Sequence, residues 1–387
     1  MNYNFDKIIN RKNTGSIKYD FVKEHGKPDG SLPFWVADMD FQLPPEILAG
    51  IHNAVSHGIF GYTEPLDDYF RAVTGWFQSR FGYRFSREEI VLAPGVVFSM
   101  AQIIRAFTEK GDGVILQTPV YYPFFHLIRS NGRQIAESPL LYSGGRYSMD
   151  FESLERQAVR PETKLLILCS PHNPVGRVWT REELARVHEI CRRHGVLVVS
   201  DEIHCDFVWP GNQHTCYGLL DGNAVICTAP SKTFNLAGLQ VSNLVVKNAA
   251  LRRRLKDEIS ASGYSHLNVL GLAACKSAYE NGGSWLAGLK EYIEGNIAFT
   301  KVFLRERLPK VKLVEPEGTY LLWLDFSAYS LPQSALDRRV AEGAGLWLDG
   351  GTMFGDDGEN FQRINAACPR SLLAQALARL ENEFKDG

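Results

Sequence analysis

Four short apolar runs in the middle of the chain limit the fold more than any other feature. Val114-Ile-Leu-Gln117 ends at Thr118-Pro119, and Leu165-Leu-Ile-Leu-Cys169 ends at Ser170-Pro171. Val196-Leu-Val-Val199 ends at Ser200-Asp201, and Ala224-Val-Ile-Cys227 ends at Thr228. Each run is continuous rather than alternating. A strand with one wet face alternates polar and apolar side chains, whereas a continuous run suits a strand buried on both faces, as in a parallel sheet covered by helices. Helix patterns lie between the runs. Thr180-Arg-Glu-Glu183 is a capping box, followed by Leu184, Val187, Ile190 and Cys191 on one stripe and closed by Gly195. Gly95 to Thr108 also reads as a helix, while the box at Ser86-Arg-Glu-Glu89 needs only a short turn after it.

This alternation predicts a large α/β domain over residues 51–285 with a mostly parallel sheet between helices. Beyond it the signals mix. Tyr320 to Leu324 reads as a strand, Gln333 to Glu342 as a helix, Arg363 to Asn365 as a strand end, and Ser371 to Phe384 as a final helix. A smaller α+β domain is expected from residues 286–387, with the segment 1–50 packing on it.

Several function classes are disfavoured. Lys and Arg total 42 against 44 Asp and Glu, so no basic face for neutralising phosphates is expected, and nucleic acid is not a predicted partner. The longest low-charge stretch, Val114 to Ile128, is short and broken by Gln117, Pro119 and His126, which argues against a membrane span. The opening residues carry no apolar core of a signal peptide, and seven cysteines without a CxxC pair fit buried free thiols in a reducing compartment. A cytoplasmic location is the expectation. Cys191 with His194, and His204 with Cys205, lack a second spaced pair, so no metal site is predicted.

Ligands of open α/β sheets collect at the carboxyl ends of the strands. Here those ends carry complementary groups. Lys232, between a strand and small turn residues, suits a desolvated amine able to form an imine. Asp201 closes a buried run; such a carboxylate caps a helix or faces a cationic ring nitrogen. Asn173, in a turn-forming Asn-Pro, offers an amide donor to a phenolate oxygen, and His204 could contact the same atom. Gly95 and Val96 open a helix whose free amides suit a phosphate, with the Ser231 hydroxyl nearby. Tyr121 offers a ring face, with Tyr122 as its neighbour. Arg363 suits a bidentate grip on a carboxylate.

Taken in order, Pro119-Val-Tyr121, Asn173-Pro-Val-Gly176, Ser200-Asp-Glu202, Ser231-Lys232 and Arg363 resemble the fold-type I pyridoxal-phosphate enzymes of the class I/II aminotransferase superfamily. Phe34-Trp-Val-Ala-Asp-Met-Asp-Phe41, Gly61-Tyr62, Pro94-Gly-Val-Val97, Ser200-Asp-Glu-Ile-His204 and Ala229 to Gln240 are similar to its MalY/PatB-type cystathionine β-lyases. The resemblance implies pyridoxal 5'-phosphate joined to Lys232, with Asp201 at the pyridine nitrogen, Asn173 at the ring oxygen and Tyr121 stacked on the ring. It implies Gly95, Val96 and Ser231 at the phosphate, reached also by Tyr62 from the second subunit of a homodimer with shared sites. Arg363, with Asn173, Trp35 and Ala37, would meet an amino-acid substrate bearing a β-thioether. The implied reaction is β-elimination of L-cystathionine or another cysteine S-conjugate to a thiol, pyruvate and ammonia. The alternative is an aminotransferase acting on an amino acid and a 2-oxo acid. One departure favours the lyases: Gly238-Leu-Gln240 has no Arg where typical aminotransferases place a phosphate-binding one.

Overall fold

A computed structural model describes residues 3–385. Its larger sheet has seven strands: β1 (Ile90–Ala93), β2 (Gly113–Leu116), β3 (Gln134–Glu137), β4 (Thr163–Cys169), β5 (Leu197–Asp201), β6 (Val225–Thr228) and β7 (Ser242–Val246). Their spatial order is β1-β7-β6-β5-β4-β2-β3. All neighbours are parallel except β7, which runs antiparallel to both β6 and β1. The four continuous apolar runs are therefore β2, β4, β5 and β6. Along β4, Leu165 and Ile167 enter one apolar core while Leu166 and Leu168 enter the other. Both faces are dry, which is why the run does not alternate. Truncating one such leucine to alanine costs about 2–5 kcal/mol.

Helices cover both faces. We label α1 (Pro45–His57), α2 (Val96–Phe107), α3 (Arg181–His194), α4 (Ala249–Ala261), α5 (Val269–Asn281), α6 (Gly283–Arg307) and α7 (Arg370–Phe384). On α3 the capping box forms: Glu183 N donates to Thr180 Oγ1 at 3.2 Å, and Thr180 N donates to Glu183 Oε2 at 2.8 Å. Gly195 ends it at φ +70°, in the left-handed region where glycine is unstrained. Leu184, Val187, Ile190 and Cys191 are its buried stripe.

A second, antiparallel sheet follows, made of β8 (Lys312–Leu313), β9 (Leu321–Asp325), β10 (Asp349–Gly350) and β11 (Phe361–Asn365), in the order β8-β9-β11-β10. The helix expected to run to Glu342 ends at Arg338 and continues as a wider π turn over Arg339–Gly343. The N-terminal segment joins this sheet's surroundings. Leu32–Pro33 pairs in parallel with Leu346–Trp347, and Asn365 N donates to Phe34 O at 2.9 Å. Lys18, fully buried, pairs with Asp40 at 2.7 Å, and Arg11 also binds Asp40. That network ties residues 11–20 to the stretch around Ala37. All seven cysteines are buried and free. Among the described residues no helix is long and apolar enough to cross a membrane.

Candidate active site

Because β1, β2, β4, β5 and β6 share one direction, their carboxyl ends lie along a single edge of the sheet. The residues that follow them line a cavity of about 260 Å³: Gly95 and Val96 after β1, Tyr121 after β2, Asn173 after β4, Asp201 on β5, and Ser231 and Lys232 after β6. Ala37 and His204 line it too. Apart from Asp201, the last residue of β5, and Ala37 from the N-terminal segment, each group sits in the first residues beyond a buried strand, where the backbone leaves the ladder and side chains can turn inward.

Lys232 sits on a short helix, Pro230–Thr233. Its Nζ donates to the Ala37 carbonyl at 2.7 Å, and Tyr320 Oη donates to the same oxygen at 3.0 Å. Burial pulls the Lys232 amine down to about 8, with Arg363 adding to the fall and Asp38 and Asp201 opposing it. Burial acts in the opposite sense on the Asp201 carboxyl, pushing it up to about 7 against the pull of the Ile203 amide and Lys232. The Ile203 amide donates to Asp201 Oδ1 at 3.2 Å. His204 is held well below its usual range, by burial first and then by the charges of Lys232 and Arg363, so its imidazole is neutral. Its Nδ1 is buried without a partner.

Asn173 accepts a hydrogen bond at Oδ1 from Arg363 Nη1 at 2.9 Å, which leaves its NH₂ to donate into the cavity. Tyr121 stands edge-on to Phe124, with ring centres 5.4 Å apart. Gly95 adopts φ +86° before α2. Gly95 N donates to Ala93 O at 2.9 Å and Ser99 makes that helix's first backbone bond, to Gly95 O at 3.1 Å, so the Val96, Val97 and Phe98 amides between them are free to meet an anion. Chemically, the cavity combines a poised amine, a buried carboxylate, an amide donor, an aromatic face and an anion cradle.

Three expected residues lie outside the cavity wall. Arg363 sits behind Asn173, 2% exposed. Its Nη2 donates to the Trp35 carbonyl at 2.9 Å and to Asp349 Oδ2. Trp35 contributes that carbonyl, while its indole stacks on Trp347 at 4.4 Å rather than facing the cavity. Tyr62 is 96% exposed, its ring 5.6 Å from that of His266.

The sequence reading missed several neighbours. Gln240, in the left-handed region at φ +48°, lines the cavity, as does buried Cys169, whose Sγ accepts from Asn173 N at 3.4 Å. Glu202 anchors the loop after Asp201: Ser200 Oγ and Tyr217 N donate to Oε1 at 3.0 and 2.7 Å, and His214 Nε2 is 3.1 Å from Oε2. Cys216 adjoins them, all three residues bringing ligand-type atoms within 4.8 Å of one another. Three had a sequence signal: Glu202 through its place beside Asp201, Gln240 through the missing Arg at its position, and Cys169 through closing an apolar run.

Comparison with known proteins matches residues 36–380 to the family described as aminotransferase class I and II. The chain is 44% identical over 382 residues to cystathionine beta-lyase PatB of Bacillus subtilis, covering 98% of this chain and 99% of that protein. It is 32% identical over 386 residues to protein MalY of Escherichia coli, covering 99% of each. Among solved structures, cystalysin from Treponema denticola, which contains pyridoxal 5'-phosphate, superposes with a TM-score of 0.96 at 38% identity, covering 100% of both chains. The pyridoxal-phosphate-bound C-S lyase from Staphylococcus hominis gives 0.93 at 32% identity, covering 99% of this chain and 98% of that one.

Proposed function

Since this chain belongs to the class I and II aminotransferase family, we propose that it acts as a pyridoxal-phosphate-dependent carbon–sulfur β-lyase. The substrates are L-cystathionine or related cysteine S-conjugates, and the products are a thiol, pyruvate and ammonia. One observation carries the reading: an amine held at about 8 shares a cavity with a buried carboxylate in a chain alike, end to end, to cystathionine β-lyases.

The donor set fits the cofactor. Asp201 has no salt bridge among the described residues, and a protonated ring nitrogen would supply the missing cation and restore its charge. The Asn173 amide, its Oδ1 taken by Arg363, is a donor suited to a ring oxygen, and His204 lines the cavity with it. Gly95, Val96 and Ser231 form the phosphate cradle, and Tyr121 supplies the stacking face. When bound, pyridoxal phosphate supplies an aldehyde carbon for the amino group and an electron sink for negative charge at Cα.

The chain's residues do the rest. Lys232 would be the residue joined to the cofactor's aldehyde; as a free amine, about one in ten at pH 7, it would take the Cα proton. Ala37 O and Tyr320 keep its Nζ in place. Asp201 would face the ring nitrogen and, as a carboxylate, favour its protonated form. Arg363, with Asn173, Trp35 and Ala37 around it, takes the substrate carboxylate. The thiolate leaves Cβ, and the released aminoacrylate hydrolyses to pyruvate and ammonia.

The working unit is a homodimer in this reading. Tyr62 stands fully exposed amid Ile59, Phe60 and Leu66, an apolar surface of the kind that partners cover, and it completes the phosphate site of the second copy. Residues 51–285 form the cofactor-binding domain, and residues 1–50 with 286–387 form the small one. The buried free thiols support a cytoplasmic location. Pyruvate release decides the reaction. Steady release from L-cystathionine without a 2-oxo acid is expected; a burst of one turnover, sustained only when a 2-oxo acid is added, would make the protein an aminotransferase.

A further inference from the structure

The carboxylate clamp is arranged in an unusual way: its guanidinium is already matched by an anion. Asp349 and Arg363 are direct partners across β10 and β11. Asp349 Oδ2 accepts from Arg363 Nη2, and both side chains are 2% exposed. A planar guanidinium carries five N–H donors. Here three are engaged, one by Asn173 Oδ1, one by the Trp35 carbonyl and one by Asp349, while Nε has no partner. Phe354 lies under the plane, 4.8 Å from the guanidinium carbon. Three acceptors on three separate segments, together with one ring, define both the position and the tilt of the group.

Asp349 is the one acceptor of the three that carries charge. On its outer side it borders a second cavity of about 220 Å³, together with Trp35 and Lys27. Asp349 stands between the guanidinium and that cavity, which Arg363 does not itself line, so on this side the guanidinium is held by its hydrogen bond to Asp349. Removing the carboxylate would leave a buried cation able to turn into that space. Asp349 itself does not line the cavity of Lys232 and reaches the reacting atoms only through Arg363.

We propose that Asp349 is a positioning residue that sets the plane of the Arg363 guanidinium and thereby the enzyme's grip on the α-carboxylate of its substrate. The proposal rests on the reading above that Arg363 takes this carboxylate. Asp349 contributes to substrate binding and leaves the proton transfer at Lys232 untouched.

The test uses the holoenzyme with two ligands that differ only in the carboxylate: S-ethyl-L-cysteine as substrate and S-ethylcysteamine as competitive inhibitor. Asp349→Ala is expected to raise KM for S-ethyl-L-cysteine about tenfold or more, with kcat within about threefold of the parent. The inhibition constant of S-ethylcysteamine should stay within about twofold, because it presents nothing for Arg363 to hold. Asp349→Asn keeps an acceptor at the same place and should bring KM back to within about threefold of the parent. If Asp349→Ala lowers kcat and weakens S-ethylcysteamine as much as it raises KM, or fails to load cofactor, judgement passes to Asp349→Asn. A loss of kcat in that variant too would make the role structural and overturn the proposal. An unchanged KM in Asp349→Ala overturns it as well. Arg363→Lys separates the two readings: if it raises KM while Asp349→Ala does not, only the positioning role fails; if neither does, the clamp assignment itself fails.

Discussion

Lys232 should betray its environment before any substrate is present. An ordinary lysine, at 10.5, has about one free amine in 3,000 at pH 7, whereas one held at about 8 has about one in ten, roughly 300-fold more. The structural cause is burial beside the Ala37 carbonyl, reinforced by the Arg363 cation. In protein stripped of cofactor, dilute formaldehyde with cyanoborohydride should methylate Lys232 with a half-maximal pH near 8. A free lysine peptide added to the same sample should follow the ordinary limb above pH 10. Peptide mapping by mass spectrometry across pH 6 to 11 reads both in one sample. Asp38 is the strongest of the groups opposing the fall, so Asp38→Asn should move the Lys232 midpoint lower still. Stability gives a second check. Between about 8 and 10.5 the unfolded chain binds more protons at this site than the folded one, so the stripped protein gains stability as pH rises through that window, and Lys232→Met removes the gain. A Lys232 labelling midpoint near 10.5 would refute the argument that burial sets its basicity.

Three further outcomes follow from the same physics. Asp201, raised to about 7, makes the stripped protein lose stability as pH climbs from about 4 to 7; Asp201→Asn should therefore be the more stable at pH 8, by on the order of 2–4 kcal/mol in thermal melts, yet lose most pyruvate-forming activity when loaded with cofactor. Lys18→Met leaves the buried Asp40 with Arg11 as its one cation among the described residues and should cost about 2–4 kcal/mol, read as a lower urea midpoint; an unchanged midpoint would mean that Arg11 and the neighbouring Tyr19 suffice. Mixing the inactive Lys232→Ala and Tyr62→Ala chains should restore up to about a quarter of native activity, since half the dimers would then hold one intact site; no recovery after subunit exchange would rule out Tyr62 acting across the interface.

Much of the site was readable in order along the chain because strand ends announce themselves locally. A continuous apolar run followed by Pro, Asp or a small residue marks where a buried strand stops, and the chemistry hangs there: Tyr121, Asn173, Asp201 and Lys232 all follow such a run. Polar strands were harder. Gln134–Glu137 lies at the sheet edge, and Ser242–Val246 opens with two polar residues, so neither stood out, although β7 supplies the antiparallel neighbour of β6. Trp35 shows the limit of motif reading, since its neighbours in sequence suit the site while its indole is drawn to Trp347.

By itself, the sequence determined the layered α/β class, the caps of α3 and most of the side chains that line the cavity, because periodicity and end signals act within a few residues. Only the tertiary structure decided which distant groups meet. The register of β10 on β11 sets Asp349 against Arg363, and the path of the N-terminal segment brings the Ala37 carbonyl to Lys232. Burial of those meetings then moves an amine to about 8 and a carboxyl to about 7. Desolvation depends on everything packed around a group, and no local pattern along the chain encodes it.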